Sequence, residues 1–135
     1  MNDKKTIFVN GCFDVLHIGH IRMLQYARSL GDYLFVAIDD DERVRSKKGI
    51  DRPYNNVYNR EEMLKSIRYV DEIGIFSTDN ELISLVKKTQ PDIMIVGSDW
   101  QGKEIIGSEY SRELRFFGRI DGYSTTKILQ HSSDR

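Results

Sequence analysis

"TIFVNGCFDVLHIGHIRMLQYARSLGDYLFVAI", residues 6–38, reads as a complete strand–helix–strand unit. "TIFV" (6–9) and "YLFVAI" (33–38) are short, nearly continuous apolar runs rich in β-branched and aromatic residues. Such runs suit strands buried on both faces of a parallel sheet. Between them, "HIRMLQYARSL" (20–30) sets Ile21, Leu24, Ala27 and Leu30 on one helical stripe, with Gly31 placed as a C-cap. A helix joining two parallel strands implies a right-handed crossover, which puts the loop after the first strand at the carboxyl end of a sheet.

The same alternation continues outward. "EIGIF" (72–76) and "DIMIVG" (92–97) are further strands, and "LRFF" (114–117) is a fifth. "REEMLKSIRYV" (60–70) and "NELISLVKKT" (80–89) carry helical periodicity, and "STTKILQ" (124–130) reads as a last helix capped by Ser124. The pattern predicts one α/β domain over residues 1–135, a doubly wound parallel sheet with helices on both faces.

Composition narrows the function classes. The chain has 135 residues, long enough for a core without disulfide or metal staples. Lys and Arg number 20 against 21 Asp and Glu, a net charge of −1, so there is no broad field for nucleic acid or an anionic membrane. An anion must therefore meet a local positive cluster. The lone Cys12 cannot form an intrachain disulfide, "MNDKKTIFVNG" lacks a signal-peptide core, and no apolar run reaches membrane-spanning length. The expectation is a cytoplasmic protein.

Two of the three histidines, His17 and His20, fall within one helical turn of the loop after the first strand. At a helix start, positions three apart face the same side. Gly19 between them removes a side chain, and first-turn amides with the helix dipole favour an anion. Two imidazoles plus backbone amides make a cradle for a polyphosphate. The rival reading is a hydrogen-bonded structural pair. Zinc would need more ligands, and Cys12, Asp14 and the distant His131 do not form a metal spacing, so no metal site is expected on the histidines.

"GCFDVLHIGH" (11–20) resembles the HxGH signature of the nucleotidyltransferase superfamily, above all its cytidylyltransferase branch. Other segments extend the resemblance in order. "SKKGIDRP" (46–53) resembles a lysine-bearing loop, "NREEMLKSIRYVDEI" (59–73) a segment with two arginines, and "VGSDWQGK" (96–103) a loop near nucleotide and acceptor. "GRIDGYSTTKI" (118–128) resembles the second signature, an arginine before a Gly-x-Ser-Thr-Thr helix start. Class I aminoacyl-tRNA synthetases share the first motif but are much longer. The resemblance implies a Rossmann-like fold and transfer of a nucleoside monophosphate from a nucleoside triphosphate to a phosphorylated acceptor.

It also implies roles. His17 and His20, with Lys47 or Lys48, would hold the charge developing on the phosphates. Gly11, Cys12, Phe13, Asp14 and Gly19 would form the nucleotide loop, and Asp99 would face the nucleoside. Arg119, Gly122, Ser124, Thr125 and Thr126 would meet the triphosphate. Arg60, Arg68 and Trp100 would serve the acceptor or a phosphate, and Mg²⁺ would arrive on the triphosphate. Two branches compete. "IRYVDEI", "GSDWQGK" and Arg119 resemble glycerol-3-phosphate cytidylyltransferases, which favours CTP. "VNGCFDVLHIGH", "KGIDRP" and "EIIGSEY" resemble the adenylyltransferase domain that activates D-glycero-D-manno-heptose 1-phosphate. A nucleotide-binding module without turnover is the reading from another class. Small members commonly form symmetric dimers, here with "YNNVYNR" (54–60) and the "RYVDEI" region as candidate contacts.

Overall fold

The computed structural model describes residues 4–118, which form a five-stranded, wholly parallel sheet flanked by helices. In chain order the elements are β1 (Thr6–Gly11), α1 (Ile18–Ser29), β2 (Tyr33–Asp39), α2 (Asp41–Lys48), α3 (Val57–Lys65), β3 (Glu72–Phe76), α4 (Asp79–Thr89), β4 (Ile93–Gly97) and β5 (Glu113–Phe117). The strands lie in the order β3-β2-β1-β4-β5. The chain thus builds outward from β1 through β2 to β3, then returns to the other side of β1 for β4 and β5. That reversal opens a crevice beyond the carboxyl ends of β1 and β4, where such sheets bind ligands.

Near-continuous apolar strands arise because both faces are covered. On one face, Leu24 and Ala27 of α1 and Val57 and Leu64 of α3 cover Ile7, Val9, Leu34, Val36, Ile38, Ile93 and Ile95. On the other, Leu82 and Val86 of α4 pack with Phe8, Phe35, Ala37, Phe76 and Met94, joined by Ile105, Ile106 and Leu114. Each fully buried Val, Leu, Ile, Phe or Met among these contributes about 1.5–3 kcal/mol. The rings of Phe8 and Phe35 stack at 5.4 Å, which Gly74 permits: a Cβ there would lie 2.8 Å from the Phe35 ring.

The doubly wound α/β class stands as expected, with local differences. Helix α2 was not expected, because "DERVRSKK" buries only Val44 and shows no apolar stripe. It is specified by its ends: the Asp40 carboxylate accepts from the Arg43 amide, acids fill the first turn and Arg45, Lys47 and Lys48 the last. Helix α3 starts at Val57 behind an Asn56 cap and stops at Lys65, whereas helical periodicity had suggested 60–70. Ile67, Tyr69 and Val70 reach the core from turns instead, so their pattern reported burial rather than helix. Leu30, not Gly31, caps α1. Gly31 is needed because a Cβ there would lie 2.6 Å from the Lys5 carbonyl oxygen. No helix among the described residues is long and apolar enough to cross a membrane.

Candidate active site

The loop between β1 and α1 lies at the carboxyl end of the central strand. Its backbone bends sharply, with Phe13 and Val15 at φ of 52° and 54°, a region costly for non-glycine residues and above all for a β-branched one. The Phe13 ring turns into the core, 5.2 Å from the His20 ring. His17 is the N-cap of α1 and His20 its third residue, and together they form a capping box. The Gly19 amide donates to His17 Nδ1 at 3.0 Å, and the His17 amide donates to His20 Nδ1 at 3.2 Å. The rings stack with centroids 3.9 Å apart.

Those two bonds decide what the histidines can do. A backbone N–H only donates, so both Nδ1 atoms are acceptors and the proton of each neutral ring sits on Nε2. His20 is held neutral far below neutral pH, its pKa lowered to about 3 by burial, then by His17 and Lys48, with Asp14 opposing. His20 thus presents a neutral Nε2–H donor rather than imidazolium charge, and on His17 too Nε2 is the nitrogen left to face a ligand. The structure also corrects one expectation: the Gly19 amide serves the cap, and the rings add their own Nε2–H donors.

Beneath the loop lies a clamp. Asp14, almost fully buried, accepts from Arg52 Nε (3.1 Å), the Tyr54 amide (2.7 Å) and the Asn55 amide (2.8 Å), tying residues 52–55 to the histidine loop. Arg60 is completely buried. Its Nη1 donates to the carbonyls of Cys12 (2.9 Å) and Asp39 (2.7 Å), its Nε to the Asn55 carbonyl (3.0 Å), and its Nη2 to Asp41 Oδ1 (2.8 Å). Arg60 therefore fastens the ends of β1 and β2 to α2 and α3. This corrects its expected place on a substrate phosphate, because four of its five N–H groups already have protein partners.

Beside the loop opens a cavity of about 240 Å³. Asn10, Gly11 and Cys12 at the end of β1 form its middle. One wall comes from the β2 side, with Asp39, Arg43, Val44, Lys47 and Lys48, and the other from the segment after β4, with Trp100, Glu104, Ile105 and Ile106. Phe76 and Leu82 add apolar surface. Arg43 is neutralised by Asp39 (3.1 Å) and Asp79 (2.7 Å) and lies over the Phe76 ring. Lys47 and Lys48 make no ion pair among the described residues, and Lys48 is near enough to act on His20 and Cys12. Burial, outweighing Lys48 and Arg60, pushes the Cys12 thiol up, so it stays protonated at neutral pH.

The cavity gathers Gly11, Cys12, Lys47, Lys48 and Trp100; His17 and His20 do not line it but stack on the loop beside it, with His20 within the field of Lys48. Both lysines project from the last turn of α2, not from a loop. Asp99 sits exposed on the short helical turn Ser98–Trp100 after β4. Arg68 does not join them. It is exposed on the turn between α3 and β3, which the strand direction places at the amino edge of the sheet, opposite the histidines. Arg119, Gly122, Ser124, Thr125, Thr126 and the helix expected over 124–130 lie outside the described residues. Sequence reasoning missed Arg43, Arg52, Asp39 and Glu104. Only Asp39 and Arg43 carried a signal, an acid–base pair four residues apart across the start of α2.

Comparison with known proteins agrees with this geometry. Residues 8–130 match the family described as cytidylyltransferase-like. The bifunctional protein HldE of a Nitratiruptor species is 44% identical over 129 residues, 94% of this chain and 27% of that protein. HldE of Helicobacter hepaticus is 41% identical over 130 residues, 96% of this chain and 27% of that protein. The chain therefore spans about a quarter of the length of these curated relatives. Among solved structures, the lipopolysaccharide core biosynthesis protein from Thermoplasma volcanium shares the fold at a TM-score of 0.72, with 23% identity over 87% of this chain and 99% of that one. A profile match over nearly the whole chain joins relatives above 40% identity and a histidine loop at the carboxyl end of β1, so the chain belongs to the cytidylyltransferase-like family of nucleotidyltransferases.

Proposed function

We propose that this chain transfers adenylate from ATP to D-glycero-D-manno-heptose 1-phosphate, releasing pyrophosphate. The geometric observation behind nucleotidyl transfer is the paired Nε2–H donors of His17 and His20 beside a cavity whose two lysines have no ion-pair partner among the described residues. An ionised acceptor phosphate is already a nucleophile. Its oxygen attacks the α-phosphorus in line, the bond to the bridging oxygen of the β-phosphate breaks, and pyrophosphate departs. No protein nucleophile is needed, so positioning and charge stabilisation do the work. His17 and His20 donate to the α-phosphate and the leaving group, and Lys48 adds positive charge from the opposite wall. Backbone and hydroxyl donors around Arg119, Gly122, Ser124, Thr125 and Thr126 hold the outer phosphates, and Asp99 faces the nucleoside. Mg²⁺ supplies further neutralisation while bound to the triphosphate, as Mg²⁺ commonly is, and so requires no carboxylate cage of the protein's own.

The HldE relatives support ATP and heptose 1-phosphate over the CTP and glycerol 3-phosphate that Arg119 and "GSDWQGK" had favoured. We read residues 1–135 as one such domain, acting in the cytoplasm where nucleoside triphosphates are made, and as a homodimer. A matrix of four nucleoside triphosphates against heptose 1-phosphate and glycerol 3-phosphate, read by pyrophosphate release, tests the reading. ATP with heptose 1-phosphate should be fastest. CTP with glycerol 3-phosphate in first place would reinstate the cytidylyl reading, and nucleotide binding without release would mean a non-catalytic module.

A further inference from the structure

The wall of the cavity that faces the lysines has its own chemistry. Trp100 is half-exposed, and Glu104 lines the cavity with no hydrogen bond or ion pair among the described residues. The walls therefore differ in the charges left unpaired among the described residues: Lys47 and Lys48 on α2, beside the mutually paired Asp39 and Arg43, face the Glu104 carboxylate and the Trp100 indole, whose ring carries Lys103 Nζ at 5.5 Å, with apolar Val44, Phe76, Leu82, Ile105 and Ile106 around them.

We infer that Glu104 and Trp100 form a sugar-reading wall, Glu104 accepting hydrogen bonds from acceptor hydroxyls while Trp100 covers the C–H face of the ring. This rests on the nucleotidyl-transfer reading above. A phosphate goes to the two lysines of α2, which sit together, rather than to the Glu104 carboxylate, and that preference orients the acceptor. A carboxylate offers several acceptor positions and no donor, which suits a row of O–H groups. Charged acceptors also form the stronger hydrogen bonds. The three-carbon body of glycerol 3-phosphate offers no ring for the indole to cover. The wall thus selects a phosphorylated cyclic polyhydroxy sugar, making Glu104 and Trp100 specificity-determining residues of the acceptor seat.

The experiment compares wild type, Glu104→Gln, Glu104→Leu and Trp100→Ala by steady-state kinetics with ATP and Mg²⁺. The acceptors are heptose 1-phosphate, mannose 1-phosphate and glycerol 3-phosphate. Direct calorimetric binding of heptose 1-phosphate is measured in parallel, and melting temperatures verify folding. Losing a hydrogen-bonding group to a substrate hydroxyl should raise the heptose 1-phosphate KM about 10- to 100-fold in Glu104→Leu. The rise should be smaller in Glu104→Gln, whose amide oxygen still accepts, and the KM for ATP should stay within twofold in both. Trp100→Ala should weaken sugar phosphates and spare glycerol 3-phosphate.

Unchanged acceptor KM in both Glu104 variants, or an equal rise for ATP, would overturn the inference. So would wild-type preference for glycerol 3-phosphate. If no acceptor yields pyrophosphate, the transfer reading fails by itself. Glu104-dependent binding of heptose 1-phosphate would then still support the wall, and absence of binding would refute it.

Discussion

His17 and His20 show how much one hydrogen bond can decide. Because backbone amides occupy both Nδ1 atoms, the rings meet a ligand through Nε2–H, and burial keeps His20 neutral with a pKa lowered to about 3. The unfolded chain would protonate this histidine near its ordinary 6.5. Between those values the unfolded state holds one more proton. The contribution is therefore complete above pH 6.5 and is lost as pH falls toward 3, at up to about 1.4 kcal/mol per pH unit. His20→Gln separates the roles, since glutamine at this helix position can still accept from the N-cap amide. Chemical unfolding at a series of pH values should show the slope in wild type and a shallower one in His20→Gln. Equal slopes would mean that His20 is not held neutral. His20→Ala, which removes the donor, should cut kcat about a hundred- to a thousandfold while ATP binding changes little. Near-normal turnover in folded His20→Ala would reduce the histidine pair to a structural cap.

At the scale of elements, the site exists because Arg60 joins the ends of the paired strands β1 and β2 to α2 and to the turn before α3. The carbonyls of Cys12, Asp39 and Asn55 and the carboxylate of Asp41 meet on one buried guanidinium. Arg60→Met fills similar space but leaves those acceptors without a donor, at about 1–3 kcal/mol for each one that stays buried. Denaturant unfolding should show a loss of about 3 kcal/mol or more. A variant with wild-type stability and a raised acceptor KM would instead return Arg60 to the substrate. This arginine also marks the boundary of what sequence can tell. The central strands β1, β2 and β4 were legible because both their faces are buried and their apolar runs are unbroken, the edge strands β3 and β5 from shorter runs that are only part-buried, and the histidine loop because its motif is local. Helix α2 was not, since one buried residue, Val44, gives no period. Resemblance alone put Arg60 on the acceptor or a phosphate, and no local pattern reveals the long-range carbonyls that surround it. Glu104 belongs to the cavity only because β4 returns beside β1, which no local pattern encodes.

Among the described residues, the three most exposed large hydrophobes fall on one short segment. Ile50, Tyr54 and Tyr58 are 85%, 70% and 73% exposed, in the connection from α2 into the first turn of α3. Single exposed hydrophobes need no explanation, but neighbouring ones on a short segment mark a contact surface. Helix α3 runs from this segment at the carboxyl edge of the sheet to "RYVDEI" at the amino edge, so one interface along its outer face covers both candidate stretches. That face also exposes Glu62 and Lys65, the latter 3.7 Å from Glu61 of its own helix, opposite charges suited to a self-complementary, two-fold contact. A homodimer through α3 should appear in light scattering at micromolar concentration. Tyr58→Glu puts a charge at the centre of the contact and should give a monomer. Its melting temperature measured at a concentration where wild type is also monomeric should be unchanged, because Tyr58 contributes little to the core. Wild-type protein that stays monomeric at high concentration would remove the dimer. A dimer that survives Tyr58→Glu would move the interface elsewhere, with edge strand β3 and its part-exposed Ile75 as the next surface to test.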